Sequence, residues 1–255
     1  MRLALISDIH GNDIALERVI ASIDSDGSDG IVCLGDVAGT GPQPGAALER
    51  MRAIGAPVVM GNVDSYMLYP ESVGSPGNEM AARFWDIDEW CVEQLPETSR
   101  SYMARFEATV DVDLGDGISA LCYHGSPKSF DDPVLPTTPD DQLADFLDGH
   151  GHAIFAGGHT HFAMVRRIGA AFVVNPGSVG LAYDRTQPAD EIRFAPWAEY
   201  ALITARRARC VGPILKWKLA PVFRSQLPFQ IEGAQSHSPS TLMISRLLRR
   251  PSNSV

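Results

Sequence analysis

Leu3-Ala4-Leu5-Ile6-Ser7-Asp8-Ile9-His10-Gly11-Asn12 opens the chain with a buried-strand pattern that runs directly into two side chains able to ligate a metal. Four consecutive aliphatic residues suit a strand covered on both faces. In an extended backbone, residues two apart point the same way, so Asp8 and His10 are expected to face one ion from the strand tip. Gly11 permits a tight turn, and Asn12 is a good N-cap for the helix spelled by Ala15, Leu16, Val19, Ile20 and Ile23. Alone, a D-x-H pair is weak evidence, because simple helix capping explains it as well.

The same construction recurs. Gly30-Ile31-Val32-Cys33-Leu34 ends in Gly35-Asp36-Val37-Ala38-Gly39, followed by a helix that includes Ala46, Ala47, Leu48, Met51 and Ile54. A third apolar run, Pro57-Val58-Val59-Met60, reads as a strand ending in Gly61-Asn62-Val63-Asp64. Strand, turn, helix, strand is the parallel-sheet pattern, which brings Asp8, Asp36 and Asn62 to one sheet edge. Further on, Ile118 to Tyr123 leads into His124-Gly125-Ser126-Pro127, and Ala153 to Ala156 leads into Gly157-Gly158-His159-Thr160-His161. A lone histidine after a strand has a ready structural explanation. The H-x-H pair shifts the balance, since three histidines and two aspartates supply both donor types that a two-metal hydrolytic centre uses.

The ordered set D-x-H, G-D-x-x-G, G-N-x-D, H-G and G-G-H-x-H resembles the calcineurin-like metallophosphoesterases, in particular their small bacterial and archaeal phosphodiesterase-like branch. The resemblance covers about residues 1–180 and includes Asn175-Pro176-Gly177-Ser178 after the strand-like Ala171 to Val174. It implies that Asp8, His10 and His161 hold one divalent metal ion, that Asn62, His124 and His159 hold a second, and that Asp36 bridges both. Asp36, Asn62 and His124 then count as catalytic as well as ligating. The implied chemistry is direct hydrolysis, with a metal-bound hydroxide as nucleophile and no covalent enzyme intermediate. The implied fold is a four-layer αββα sandwich. The chain's own pattern agrees, because strand-rich stretches at 107–123 and 153–175 with few helices between them suggest two facing mixed β-sheets flanked by helices.

One position departs from the family pattern. Many relatives carry a histidine directly after the asparagine, where it contacts phosphate or protonates the leaving group, and here Val63 stands there. Valine donates no proton, so activated aryl esters are expected to react much better than alkyl esters. Asp64 is expected either to orient a ligand histidine or to cap a helix, and Asn12 and Asp64 are the candidates for supporting or substrate contacts.

Composition bounds the rest. The chain has 255 residues, 45% hydrophobic and 20% charged, enough for one large core. No apolar run reaches the roughly 18 residues of a membrane span. Met1-Arg2 enters the first strand at once, leaving no room for a signal or transit peptide, and a cytoplasmic location is expected. Cys33, Cys91, Cys122 and Cys210 lack C-x-x-C spacing and read as buried free thiols. The net charge of -10 is uneven: residues 205–255 hold nine Lys or Arg and one acid, and the remainder holds 12 basic and 30 acidic residues. An acidic body argues against a stable nucleic-acid complex, and no aromatic-basic pattern accompanies the basic tail.

These features divide the chain into a domain at 1–220 and a basic tail at 221–255, where periodicity fades apart from a Leu-rich stretch at 242–248 and order is left open. Within the domain, about residues 65–106 form an insertion. Met80, Phe84, Ile87, Trp90 or Cys91, and Leu95 mark an amphipathic helix over 78–95 ended by Pro96, well placed to roof a cleft. Residues 125–139, rich in Pro, Ser and Asp, read as a connecting loop, with contact between phosphate and Ser126 or Lys128 as the alternative.

The function expected is hydrolysis of a small phosphoester or nucleotide by a dinuclear metal centre. Manganese is the foremost metal, with iron, cobalt, zinc or nickel as alternatives. The other class of reading is a non-catalytic interaction scaffold on the same fold, and oligomeric state is left open. A protein phosphatase fits less well, because Asp36 is followed by Val-Ala-Gly rather than D-R-G and Asn62 is not followed by His-Glu.

Overall fold

Local alternation builds the layers. In β1 (Arg2–Ile6), Leu3 and Leu5 turn to one side while Ala4 and Ile6 turn to the other. The same two-residue period recurs in β4 (Ile118–Cys122), β5 (Ile154–Ala156) and β8 (Trp197–Thr204), and it separates three apolar clusters. The computed structural model describes residues 1–72, 76–183, 193–205 and 214–221. Expectations for the basic tail and for Cys210 lie outside the described residues.

Two mixed sheets face each other. The first has the order β2-β1-β8-β9, with β2 at Gly30–Cys33 and β9 at Ile214–Pro221. Within it β1 and β2 are parallel and the β1–β8 and β8–β9 pairs antiparallel, Ala201 facing Trp217 in the last. The second has the order β3-β4-β5-β7-β6, with β3 at Val110–Gly115, β6 at Met164–Ile168 and β7 at Ala171–Asn175. Here β4, β5 and β7 run parallel. Leu3, Leu5, Val32, Ala120, Ile154, Val174, Ala201 and Ile203 fill the space between the sheets.

Helices cover both outer faces, completing the four-layer αββα sandwich. On the first sheet, Leu16, Val19 and Ile23 of α1 (Asp13–Asp26) and Ala47, Leu48 and Met51 of α2 (Pro44–Ile54) pack with Ala4, Ile6, Tyr200 and Leu202. Three further helices follow: α3 (Asn62–Leu68), α4 (Glu79–Glu93) and α5 (Glu97–Met103). Ile87 and Cys91 of α4 are buried in the same cluster, as the helical spacing predicts, and the chain restarts a helix after Pro96. On the second sheet, Leu143 of α6 (Asp140–Phe146) packs with Leu121, Tyr123 and Phe155. Cys33, Cys91 and Cys122 are free and buried. No helix among the described residues is long and apolar enough to cross a membrane.

The run Pro57 to Met60 is not a full strand. Among the described residues it pairs through isolated bridges, from Val58 to Cys33 on one side and from Val59 to Glu107 on the other. Its end still reaches the same edge as the ends of β1 and β2.

Candidate metal centre

Parallel strands deliver the candidate ligands together. Asp8 follows β1, Asp36 follows β2, His124 follows β4 and His159 follows β5, so carboxyl ends of parallel strands from both sheets meet at one edge. Past the strands the first two loops stay paired: Asp8 N donates to Gly35 O at 3.0 Å and His10 N to Asp36 O at 2.9 Å.

The backbone at this edge is not extended. Asp8, His10, Asp36, His159 and His161 all have left-handed φ, between 47° and 67°. Asp8 and His10 therefore converge through successive αL turns rather than through the two-residue period of a strand. Asp and His tolerate this region better than most side chains, yet each such residue costs on the order of 1–3 kcal/mol. Such strain concentrated on one set of side chains marks a functional site.

All seven predicted ligands fall into one continuous cluster. His10 Nε2 lies 3.1 Å from His161 Nε2, and Asp8 Oδ1 lies 3.3 Å from His161 Nε2. Asp36 Oδ2 is 3.8 Å from His10 Nε2 and 3.4 Å from His124 Nε2, so it sits between the two groups. Asn62 Oδ1 completes the second group, 3.0 Å from His124 Nε2 and 3.2 Å from His159 Nδ1. His159 thus turns its Nδ1 inward, whereas the other three histidines turn Nε2.

Each inward atom is aimed by what the opposite atom does. His10 Nδ1 donates to Gly39 O, His124 Nδ1 to Leu34 O and His161 Nδ1 to Leu181 O, leaving three Nε2 atoms directed into the cluster. Asp8 Oδ2 accepts from His159 N and Asp36 Oδ1 from Val63 N, which leaves Asp8 Oδ1 and Asp36 Oδ2 facing inward. Asp8 Oδ1 is buried with no hydrogen bond among the described residues. Facing nitrogens at 3.1 Å and an orphaned carboxylate oxygen form a donor set that fits divalent cations. Asp8, His10 and His161 group closely enough to share one ion, as do Asp8, Asp36 and His124.

The electrostatics reveal the same demand for positive charge. Burial opposes ionisation of Asp8 and Asp36, but His161 acting on Asp8 and His124 acting on Asp36 hold both carboxyls below the usual range. Burial also opposes charge on His124, yet Asp36, Asp8 and the Leu34 carbonyl push it up to about 10. His161 is raised by Asp8 against its burial, while burial pulls His10 down to about 4. Without cations the cluster thus retains protons beside its two carboxylates.

Supporting residues sit one layer out. Asp64 touches no ligand histidine: Oδ1 accepts from Val37 N and Ala38 N, and Oδ2 accepts from Gly61 N, so it caps α3 and pins the loop beyond Asp36. Asn12 caps α1 through Ala15 N and donates to Gly180 O. Ser126 is consumed inside its own loop by Asp132, Lys128 N and Ser129 N, and Lys128 pairs with Asp145. Sequence reasoning assigned no role to Asn175 or Ser178, although their motif was visible. Asn175 holds the histidine loop through Gly158 O and Thr160 Oγ1, and Ser178 donates to Asp8 O.

Residues 1–194 match the Calcineurin-like phosphoesterase superfamily domain. The chain belongs to that superfamily. Among its relatives are an uncharacterized protein of Methanocaldococcus jannaschii, 26% identical over 213 residues that cover 76% of this chain and 80% of that one. A metallophosphoesterase from Sphaerobacter thermophilus is 26% identical, covering 86% of this chain and 88% of its own with a TM-score of 0.58. The fold is also that of a hypothetical protein from Pyrococcus horikoshii, with a TM-score of 0.70 at 19% identity over 88% and 89% of the two chains.

Close packing makes two glycines beside the cluster sensitive. A Cβ on Gly61 would overlap Asp36 Oδ1 and N, and one on Gly158 would overlap Ser7 Oγ and press on Asp8 Oδ2 at 2.9 Å. Gly61→Ala, a single added methyl, is expected to lower divalent-metal content by about tenfold or more through displacement of Asp36, as measured by elemental analysis after dialysis. Wild-type metal content in this variant would contradict the packing argument.

Asp88 on α4 accepts from Thr40 Oγ1 at 3.0 Å, and burial pushes its carboxyl up to about 7. A folded-state value above the unfolded one gives stability that is fully present in acid and lost as pH rises through about 7. Asp88→Asn should therefore gain stability over the wild type on going from about pH 5 to about pH 8, by on the order of 2 kcal/mol. Urea unfolding of the metal-free proteins at both pH values measures it, and a pH-independent difference would refute it.

Proposed function

We propose that this protein hydrolyses a small phosphoester, a diester or nucleotide in preference to a phosphoprotein, with the help of two divalent cations held by the strand-end cluster. Superfamily membership supports phosphoester hydrolysis, and so does the likeness to a metallophosphoesterase at 26% identity. The observation that carries the two-cation reading is the placement of Asp36 Oδ2 between His10 Nε2 and His124 Nε2, 3.8 and 3.4 Å away. A carboxylate there offsets repulsion between cations held about 3.5–4 Å apart.

Asp8, His10 and His161 would hold one cation and Asn62, His124 and His159 the other. When bound, such ions polarise phosphate oxygens and lower the pKa of water towards about 7. The chain's own part is orientation. Val63 N fixes the Asp36 carboxylate, and the Leu34 carbonyl fixes the His124 tautomer. Cations must displace the proton that Asp36 and Asp8 hold on His124, so uptake strengthens as pH rises. Manganese is the metal we favour for this mixed oxygen and nitrogen set. A non-catalytic scaffold has no use for five strained ligand residues or an orphaned buried carboxylate oxygen, and this favours the enzyme. The acidic body supports a small substrate over an anionic membrane surface or a long nucleic acid.

Asp36→Asn and His124→Ala are each expected to reduce turnover by about 100-fold or more, with a matching loss of bound metal. Assays on manganese-loaded protein with a panel of phosphomonoesters and diesters test this, and full turnover in both variants would end the proposal.

Val63 is half-buried against Gly39 and offers no proton. Val63→His is expected to raise turnover of an alkyl ester relative to an activated aryl ester by about 10²-fold, the low end of general-acid contributions. An unchanged ratio would count against the missing-acid argument.

A further inference from the structure

Beside the first ligand group stands an aromatic assembly that the metal cluster does not explain. Tyr183 stacks on the His161 ring, with centroids 5.2 Å apart and planes at 26°. Phe194 stacks against Tyr183 at 5.9 Å and 17°, brought there by the antiparallel bridge between these two residues. Phe162, next in sequence to His161, leans on Tyr183 at 5.6 Å and 44°. With His161 and Phe194 both stacked near-parallel to it, Tyr183 has little face left to offer. Phe162 differs: it is 38% exposed, one of the few large hydrophobic side chains open to solvent among the described residues.

An exposed phenyl ring costs hydration free energy, and here it is held in place by a neighbour that also braces a ligand histidine. We propose that Phe162 is a substrate-specificity residue that stacks against a planar aromatic substituent of the phosphoester, with Tyr183 and Phe194 positioning it. This rests on the phosphoester reading above and narrows its substrate class to esters carrying a flat ring. Phenyl and nucleobase groups share that chemistry and differ in how far the ring lies from phosphorus.

Non-hydrolysable ligands separate this from leaving-group chemistry. Calorimetric titration of the manganese-loaded full chain with phenylphosphonate and methylphosphonate, at a pH where both are dianions, should show the phenyl compound binding about tenfold tighter. The ratio should fall towards one in Phe162→Ala and be restored in Phe162→Tyr. A parallel pair, the methylenephosphonate analogue of a nucleoside monophosphate against that of the matching ribose phosphate, distinguishes a nucleobase from a directly attached ring: preference in either pair that depends on Phe162 supports the subsite and names its source. Equal binding within both pairs by the wild type, or a preference that survives in Phe162→Ala, overturns it. The wild-type ratios do not depend on any variant folding. Binding of none of the four phosphonates would instead defeat the phosphoester reading itself.

Discussion

Two buried carboxylates and four imidazoles compete for positive charge at the sheet edge, and the surrounding structure is arranged to keep that competition unresolved within the protein. Asp8 and Asp36 each commit one oxygen to a backbone N–H and keep the other turned inward. Three histidines commit Nδ1 to backbone carbonyls. A buried carboxylate normally demands neutralisation at close range. Here the groups that could neutralise it are themselves aimed as ligands, so an added cation relieves the carboxylates and the facing nitrogen lone pairs together.

Holding this arrangement needs rigid surroundings. Left-handed turns at five ligand residues store strain that only a well-packed frame can maintain. The frame comes from the core between the sheets and from loop-to-loop hydrogen bonds. Asp64 ties the Asp36 loop to the start of α3, and Asn175 and Ser178 tie the histidine loop and the Asp8 loop to the end of β7. Packing against Gly61 and Gly158 leaves the carboxylates no room to relax away. Side-chain geometry at the edge therefore depends on backbone contacts made well behind it.

The helices between the third and fourth ligand motifs connect this centre to its surroundings. Tyr66 lies one turn beyond Asn62 on α3 and meets Trp85 of α4 edge-on at 4.7 Å. Asp88 of the same helix reaches the loop at Thr40, where the backbone is again left-handed. Aromatic groups thus stand on the Asn62 helix as well as beside His161.

Much of this molecule is legible from local pattern. Runs of aliphatic residues ending in Asp8, Asp36, His124 and His159 single out the candidate ligands, because a parallel sheet carries strand ends to one edge whatever the intervening loops do. The period-two alternation in β1, β4 and β8 likewise foretells a layer on each side of each sheet. What local pattern misses depends on partners far away in sequence. The αL turns at the ligands, the shortening of the 57–60 strand, the inward Nδ1 of His159 and the capping use of Asp64 are all set by hydrogen bonds to other loops. Phe162, Tyr183 and Phe194 form one assembly only because a bridge folds residue 194 back onto residue 183. Residue type and strand period are encoded in neighbours along the chain, so the sequence alone determined the candidate ligand set and the layering. Orientation, tautomer and stacking are decided by neighbours in space, and only the tertiary structure could supply them.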